Sequence, residues 1–434
     1  MSQAMLCGLI MLVLVFVLLY IGAPVCISIG VASAAAMVMI STPGKAILIS
    51  AQKMFAGTSS FSLMAIPFFI LAGVLMNNGG IAKKLVNCAK LLAGRLPGSL
   101  AQTNIVANMM FGAVSGSGCA AAAAIGGIMG PIEEEEGYDK SYYAAVNIAS
   151  APTGMMIPPS NTLIVYATVA GTVSISALFM AGYLPGILWG LGNMVVAGVM
   201  ARKLGYKNTE SLGWKEGIRV LLDAIPCLLM IVVVIGGVLI GAFTATEGSG
   251  IAVAYSLILG LIYKNIKIKD IPGYLLEAAN MTSIIIIMIG ISSIMSYVMA
   301  FTGIPKIVAE ALMGITTNKY IILLIMNVFL LILGTFMDPT PAILIFTPIF
   351  LPICQSFGMH PVQFGLMITF NLCIGAITPP VGTVMFTGCR VANITMEAII
   401  RRLLPFFAVT ALVLLLVTYI EPITMTIPRM LGLV

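Results

Sequence analysis

Between Phe111 and Ala170 the chain is apolar enough for a bilayer, yet it is broken twice in ways that lipid does not tolerate. It reads FGAVSGSGCAAAAAIGGIMG, then PIEEEEGYDKSYY, then AAVNIASAPTGMMIPPSNTLIVYATVA. Ser115, Gly116, Ser117 and Gly118 cut one apolar run, and Pro152, Gly154, Pro158 and Pro159 cut a second. Backbone groups freed by such breaks find no replacement hydrogen bonds in hydrocarbon. The breaks therefore have to be buried in protein or line a wet cavity, which is where transporters hold ions and substrate.

The rest of the chain supports a membrane setting. Of 434 residues, 60% are hydrophobic and only 8% charged, with a mean hydropathy of +1.12; a soluble domain carries about 25% charged residues. This is the composition of a polytopic membrane protein. The net charge of +6 is small for the length, and no basic stripe with interleaved aromatics marks a nucleic-acid surface. The eight cysteines sit singly in apolar stretches without a CxxC pair, so they read as small packing residues. One histidine, His360, excludes a multi-histidine metal centre. The first apolar run has no basic segment before it and reads as a retained span, not a cleaved leader.

Apolar runs near 5–20, 25–40, 61–76, 175–200, 225–242, 250–263, 281–301 and 403–420 are candidate spans. Segments 45–57, 80–95 and 303–318 are amphipathic and suit the interface. Two polar loops, 202–219 and 264–270, separate the rest. Matching strings then recur. Asn78-Gly79-Gly80-Ile81-Ala82-Lys83 pairs with Phe301-Thr302-Gly303-Ile304-Pro305-Lys306 at an offset of 223. Phe111-Gly112 pairs with Leu333-Gly334 at 222, Gly154 and Pro158-Pro159 with Gly375 and Pro379-Pro380 at 221, and Leu184-Pro185 with Leu404-Pro405 at 220. Four ordered matches with a smoothly drifting offset define an internal repeat.

Each half reads as two spans, a third span, an amphipathic segment, a re-entrant hairpin, a broken span and a last span. Five crossings per half place the second half upside down, an inverted repeat. Charge agrees: with 80–95 cytoplasmic, 16 of the 21 Lys and Arg lie inside, leaving Lys45, Lys53, Lys306, Lys319 and Arg429 outside. The expected fold is all-α, with scaffold helices in 1–60 and a first transport region at 61–200 (hairpin 98–132, broken helix 140–170). A loop and second scaffold pair occupy 201–273, and the inverted second repeat 274–434 (hairpin 319–353, broken helix 361–391).

Chemistry concentrates at the interruptions. Exposed carbonyls with Ser and Thr hydroxyls supply the hard oxygens that Na+ takes, and half-helix N-termini suit an anion. The candidate ion residues are Ser115, Gly116, Ser117, Thr153, Gly154 and Asn161 in the first half. In the second they are Gly334, Asp338, Thr340, Gly375 and Thr378. Candidate substrate residues are Ser160, Thr162, Gly382, Thr383 and Arg390, although a positive-inside anchor is the plainer role for Arg390. A packing role for these Gly, Ser and Pro competes with the functional one, but paired breaks in both halves favour function. Asp338 is the one carboxylate expected deep in the membrane, and such a group is functional by default; capping a helix at the hairpin tip is its alternative. Glu133–Glu136 reads as a solvated hairpin end, with a gate to Lys140 as the sharper alternative. No GxSxG and no membrane Asp pair occur, so an enzyme is not expected.

IPFFILAGVLMNNGGIAKKLV (66–86), FGAVSGSG (111–118), EGYDKSYYAAV (136–146), IPPSN (157–161), Gly182-Tyr183-Leu184-Pro185-Gly186 and Ile377-Thr378-Pro379-Pro380-Val381-Gly382 together give a family likeness over essentially the whole chain. The chain resembles the large membrane subunit of the tripartite ATP-independent periplasmic (TRAP) transporters. The resemblance implies a bacterial inner-membrane permease driven by a Na+ gradient, with no organic cofactor and an elevator mechanism. It implies a small four-helix membrane subunit and a periplasmic substrate-binding protein as partners. It also implies a carboxylate substrate, notably sialic acid or a C4-dicarboxylate. A stand-alone Na+- or H+-coupled symporter of the same fold is the alternative expectation, and a channel a more distant one.

Overall fold

The computed structural model describes residues 3–206, 214–316 and 318–434. Among the described residues the secondary structure is helical throughout, without strands, as a bilayer requires of a chain that cannot close a barrel. The first half comprises α1 (Gln3–Tyr20), α2 (Val25–Ile40), α3 (Pro43–Thr58), α4 (Ala65–Asn78), α5 (Ile81–Ala93), α6 (Ser99–Ser115), α7 (Gly118–Glu135), α8 (Lys140–Ser150), the single turn α9 (Thr153–Met156), α10 (Asn161–Ala170) and α11 (Ile175–Leu204). The second comprises α12 (Trp214–Leu239), α13 (Ala245–Ile262), α14 (Ile271–Thr302), α15 (Ile304–Ile315), α16 (Lys319–Gly334), α17 (Pro339–Ser356), α18 (Pro361–Gly375), α19 (Thr383–Ala392), α20 (Met396–Tyr419) and a terminal α21 (Glu421–Met430).

The repeat is present in three dimensions. Helices α5, α6, α7, α8, α10 and α11 begin at 81, 99, 118, 140, 161 and 175; α15 to α20 begin at 304, 319, 339, 361, 383 and 396. Helices α6 and α7 form the first hairpin and α16 and α17 the second. The pairs α8/α10 and α18/α19 are the broken spans. Both Pro-Pro bonds inside the breaks, Pro158-Pro159 and Pro379-Pro380, are cis.

Seven segments among the described residues are long and apolar enough to cross a membrane, and α1, α2, α10 and α18 are shorter apolar helices. The last two are halves of broken spans, and α17 qualifies by composition although it starts at a hairpin tip. The protein is a multi-pass membrane protein with two inverted repeats. The spans expected at 225–242 and 281–301 begin earlier, at Trp214 and Ile271. Part of the 202–219 loop (207–213), and Thr317 in the 303–318 segment, lie outside the described residues. Helix α21 was not signalled, because Pro422 and Pro428 interrupt its pattern; Pro422 sits in its first turn, where a missing N–H costs nothing.

Each hairpin crosses its broken span glycine on glycine. A Cβ on Gly154 would overlap Gly112 in α6, and a Cβ on Gly375 would overlap Gly334 in α16. Buried amides reinforce both crossings. Asn108 of α6 donates to Asn147 Oδ1 (3.0 Å) and Ser150 Oγ (2.9 Å) of α8. Asn371 of α18 donates to Asn327 Oδ1 of α16 (2.8 Å), and Asn327 donates on to Thr418 Oγ1 (3.0 Å). The broken span is tied to the last helix at equivalent positions: Tyr142 Oη donates to the Ala197 carbonyl (2.8 Å) and Gln363 Nε2 to the Thr418 carbonyl (3.0 Å). The halves interlock as well, since α7 packs on α19 and α17 packs on α10. Around this inner set, α13 packs on α4, and α14 on α2, α3 and α4.

The Glu133–Glu136 reading needs correction at its first member. Glu134, Glu135 and Glu136 are exposed, and Glu134 pairs with Lys140 at 3.6 Å, but Glu133 is fully buried. It continues the inward stripe Ala122, Gly126, Met129 on α7, so helical spacing carries it under the hairpin instead of into water.

Gly154→Ala and Gly375→Ala should each lower stability by about 1–3 kcal/mol through overpacking. Gly127→Ala, where a Cβ meets open space, should be neutral or stabilising. Thermal melts of the purified variants decide this.

Candidate ion and substrate site

The first tip is made by Ser115, Gly116 and Ser117. Gly116 has φ +60, a left-handed conformation that glycine adopts at no steric cost, and its N–H reaches the Gly112 carbonyl at 2.8 Å. This ends α6. Ser117 then caps α7 by accepting from Ala120 N (3.3 Å), and Ser115 Oγ donates to the Ser117 carbonyl (3.4 Å). Asn161, the first residue of α10, lies so close that a Cβ on Gly116 would sit 2.9 Å from its Nδ2. The Asn161 side-chain oxygen is buried and accepts no hydrogen bond. From outside, α4 closes on the tip: a Cβ on Gly73 would meet Ser115 Cα at 3.2 Å.

The first break is closed by its own hydroxyls. Thr153 Oγ1 donates to the Ser150 carbonyl (2.5 Å). Ser160 caps α10, donates to the Met155 carbonyl and lies 2.8 Å from Thr162 Oγ1. Ser160 and Thr162 are both buried, so their side chains brace the break. Gly154 serves the helix crossing.

The second tip repeats the plan with a charge added. Asp338 caps α17 through the Thr340 N–H (3.5 Å), as Ser117 caps α7, and its other oxygen accepts from Thr383 Oγ1 (3.3 Å). Thr383 opens α19 as Asn161 opens α10. Gly382 has φ +48, and a Cβ there would lie 2.9 Å from the Thr378 carbonyl oxygen and 3.2 Å from that of Ala376. The Gly382 N–H donates to the Thr335 carbonyl at 3.3 Å. Three carbonyls thus gather beside Asp338 and Thr383. Among the described residues no Lys, Arg or His is ion-paired to Asp338. Thr378, in the break, turns its Oγ1 back onto α18, donating to the Ile374 carbonyl at 2.7 Å.

Of the residues chosen from sequence, Ser115, Gly116, Ser117 and Asn161 meet at one tip. Asp338, Thr340, Gly382 and Thr383 meet at the other, with the Thr378 carbonyl nearby. Gly334 and Gly375 form the second crossing beneath. Arg390 is exposed in the last turn of α19, about 10 Å along the helix from Thr383 at 1.5 Å per residue. A separate cleft of about 240 Å³ opens between α3, α14, α10 and α17, lined by the hydroxyls of Ser60, Thr168, Ser292, Ser293 and Ser296. Sequence reading missed this cleft and the amides Asn108, Asn147, Asn327 and Asn371. A usable signal existed for the amides, polar side chains inside apolar runs.

Two tips face two breaks, each with oxygen donors, and Asp338 at the second tip, expected deep in the membrane, is exposed and pairs with no cation among the described residues. Comparison with known proteins gives the family. The family model for the tripartite ATP-independent periplasmic transporter, DctM component, matches residues 12–423. The chain belongs to this family. Members are transporter permeases, so this TRAP large permease is not an enzyme. It is 47% identical to YgiK of Salmonella typhimurium over 95% of both chains. It is 40% identical to the isethionate TRAP transporter permease protein DctMQ of Oleidesulfovibrio alaskensis, over 94% of this chain and 64% of that one. It is 33% identical to the sialic acid TRAP transporter large permease protein SiaM of Vibrio cholerae, over 95% and 96%. In fold it is similar to the YdaH transporter of Alcanivorax borkumensis, with a TM-score of 0.57 at 14% identity over 88% of this chain and 90% of that one.

A double-mutant cycle of Asp338→Asn and Thr383→Val should show a coupling of about 1 kcal/mol. Arg390→Gln should add independently to either. Denaturation of the purified chain checks both.

Proposed function

We propose that this TRAP permease imports a small organic acid in symport with Na+, across a bacterial inner membrane. The supporting observation is the pair of tips. Asn161 brings a buried oxygen with no donor, and Asp338 a carboxylate with no cationic partner among the described residues, next to Thr383 and the Thr378 carbonyl. A hard cation satisfies such oxygens and offsets the charge. Ser115, Ser117, Asn161 and the carbonyl of Thr153 or Gly154 would serve one ion. Asp338, Thr340 and the carbonyls of Gly334, Gly375 and Thr378 would serve the other. Bound Na+ would then attract the acid group of the substrate near Thr383 and Gly382, with no basic side chain needed. The hydroxyl-lined cleft gives the rest of a polar substrate room against α14.

In this reading the hairpins and broken spans move together, elevator-fashion, against α1–α4 and α12–α14. Gly73 facing Ser115 leaves a smooth track for the sliding tip. A small four-helix membrane subunit and a periplasmic binding protein complete the system, the latter delivering substrate. Relatives named for sialic acid and for isethionate fit a sialic acid, a C4-dicarboxylate or a small sulfonate, acids whose charge sits at one end or both.

Reconstitution tests this. The chain is placed in proteoliposomes with its small subunit, and labelled sialic acid, succinate and isethionate are offered with or without binding protein and an inward Na+ gradient. Uptake of one acid should require both. Asp338→Asn should cut Na+-driven uptake about tenfold or more, and Gly127→Ala, where a Cβ meets open space, should leave it unchanged. Uptake without binding protein would make the chain a self-sufficient symporter, and uptake indifferent to Na+ would remove the ion assignment.

A further inference from the structure

The first hairpin carries an acid that the site above does not use. Glu133 lies in the last turn of α7, beyond the apolar spans, and is 0% exposed. Asn104 Nδ2 of α6 donates to both its oxygens, at 3.2 and 3.5 Å. Asn104 Oδ1 in turn accepts from Asn108 Nδ2 at 2.9 Å, which also lies 2.9 Å from Ser150 Oγ. The Ser150 carbonyl accepts from Thr153, the first residue of α9. An unbroken polar chain therefore runs from Glu133 to the first helix break. Within it, Asn108 Oδ1 is buried with no partner. The equivalent place in α17 is held by Cys354, also buried, so the second hairpin has no such acid.

Charge around Glu133 is one-sided. Helix α6 has no titratable side chain and α9 none. The turn before α8 contributes Tyr138 and Asp139, the latter paired with Arg402 at 3.3 Å, and α8 contributes Tyr142, Tyr143 and Lys140, the last paired with Glu134 at 3.6 Å. Helix α5 carries Lys83, Lys84 and Lys90, and α19 carries Arg390; among the described residues none of these forms an ion pair with Glu133. A bare carboxylate so placed would be desolvated and uncompensated, which proteins avoid by keeping the group neutral.

We propose that Glu133 is a proton-binding site: the acid is neutral while the hairpin packs on α6 and α8, and ionises when water reaches the hairpin's base. On ionisation the carboxyl O–H bond breaks, the proton passes to water, and the carboxylate takes up hydration. Burial raises the Glu133 carboxyl well above its usual range, opposed by the single Asn104 bond. The packed hairpin is thus fully stable at pH below the ordinary Glu value, about 4.3, and weakens as pH rises from there toward the raised value. Proton binding at this site couples cytoplasmic pH to the packing of the first hairpin, whatever acid is carried.

The full chain with its small subunit is compared as wild type, Glu133→Gln and Glu134→Gln, by infrared spectroscopy and thermal melts between about pH 5 and pH 9. Wild type and E134Q should show a neutral carboxylic-acid carbonyl band at neutral pH that E133Q lacks. Their midpoints should fall with rising pH relative to E133Q. The same band in E133Q, or a pH slope unchanged by E133Q, overturns the proposal. Should E133Q not fold, the band is sought in D338N. Its presence at neutral pH there sustains the assignment, and its absence ends it.

Discussion

Everything in this structure depends on where interrupted backbone can be put. A helix in hydrocarbon satisfies itself, whereas a broken one leaves N–H and C=O groups that only protein or water can answer. The chain answers by bringing a second backbone within touching distance, which glycine alone permits. Gly112 on Gly154 and Gly334 on Gly375 set the hairpins against the breaks. The tips then fall beside the first residues of α10 and α19: Asn161 lies against Gly116 at the first, and Asp338 meets Thr383 at the second. The site is a by-product of close packing that the polar residues exploit.

The two halves share a frame and differ in chemistry. Tyr142 and Gln363 hold the same carbonyl position on the last helix of their half, with a phenol in one and an amide in the other. Ser117 and Asp338 both cap the outgoing hairpin helix, one neutral and one charged. Glu133 and Cys354 occupy equivalent buried places. Geometry has been held constant while charge has been redistributed, so that one tip is a neutral cradle and the other an anionic one.

Much of this was legible in the sequence because the informative residues punctuate. Gly and Pro at Gly154, Pro158-Pro159, Gly375 and Pro379-Pro380 announce breaks, and a steadily drifting offset announces the repeat. What punctuation does not convey is facing. Glu133 sits in a run of four acids and reads as solvated, and only its place on the Ala122, Gly126, Met129 stripe shows it turned inward. Ser160 and Thr162 were read as substrate groups, and the structure spends their hydroxyls on the break itself. The Asn108–Asn147 and Asn327–Asn371 links join residues on separate helices: an amide inside an apolar run marks each residue, but not its partner. Their pairing follows from the helix crossing, which must be known first.

The interlocking of α7 with α19 and of α17 with α10 bears on how the chain is made. A ribosome delivers α7 and α10 some two hundred residues before their partners. Until then the faces of α7 and α10 that meet α19 and α17 are uncovered. Packing between the repeats is therefore completed only after the second half has been inserted.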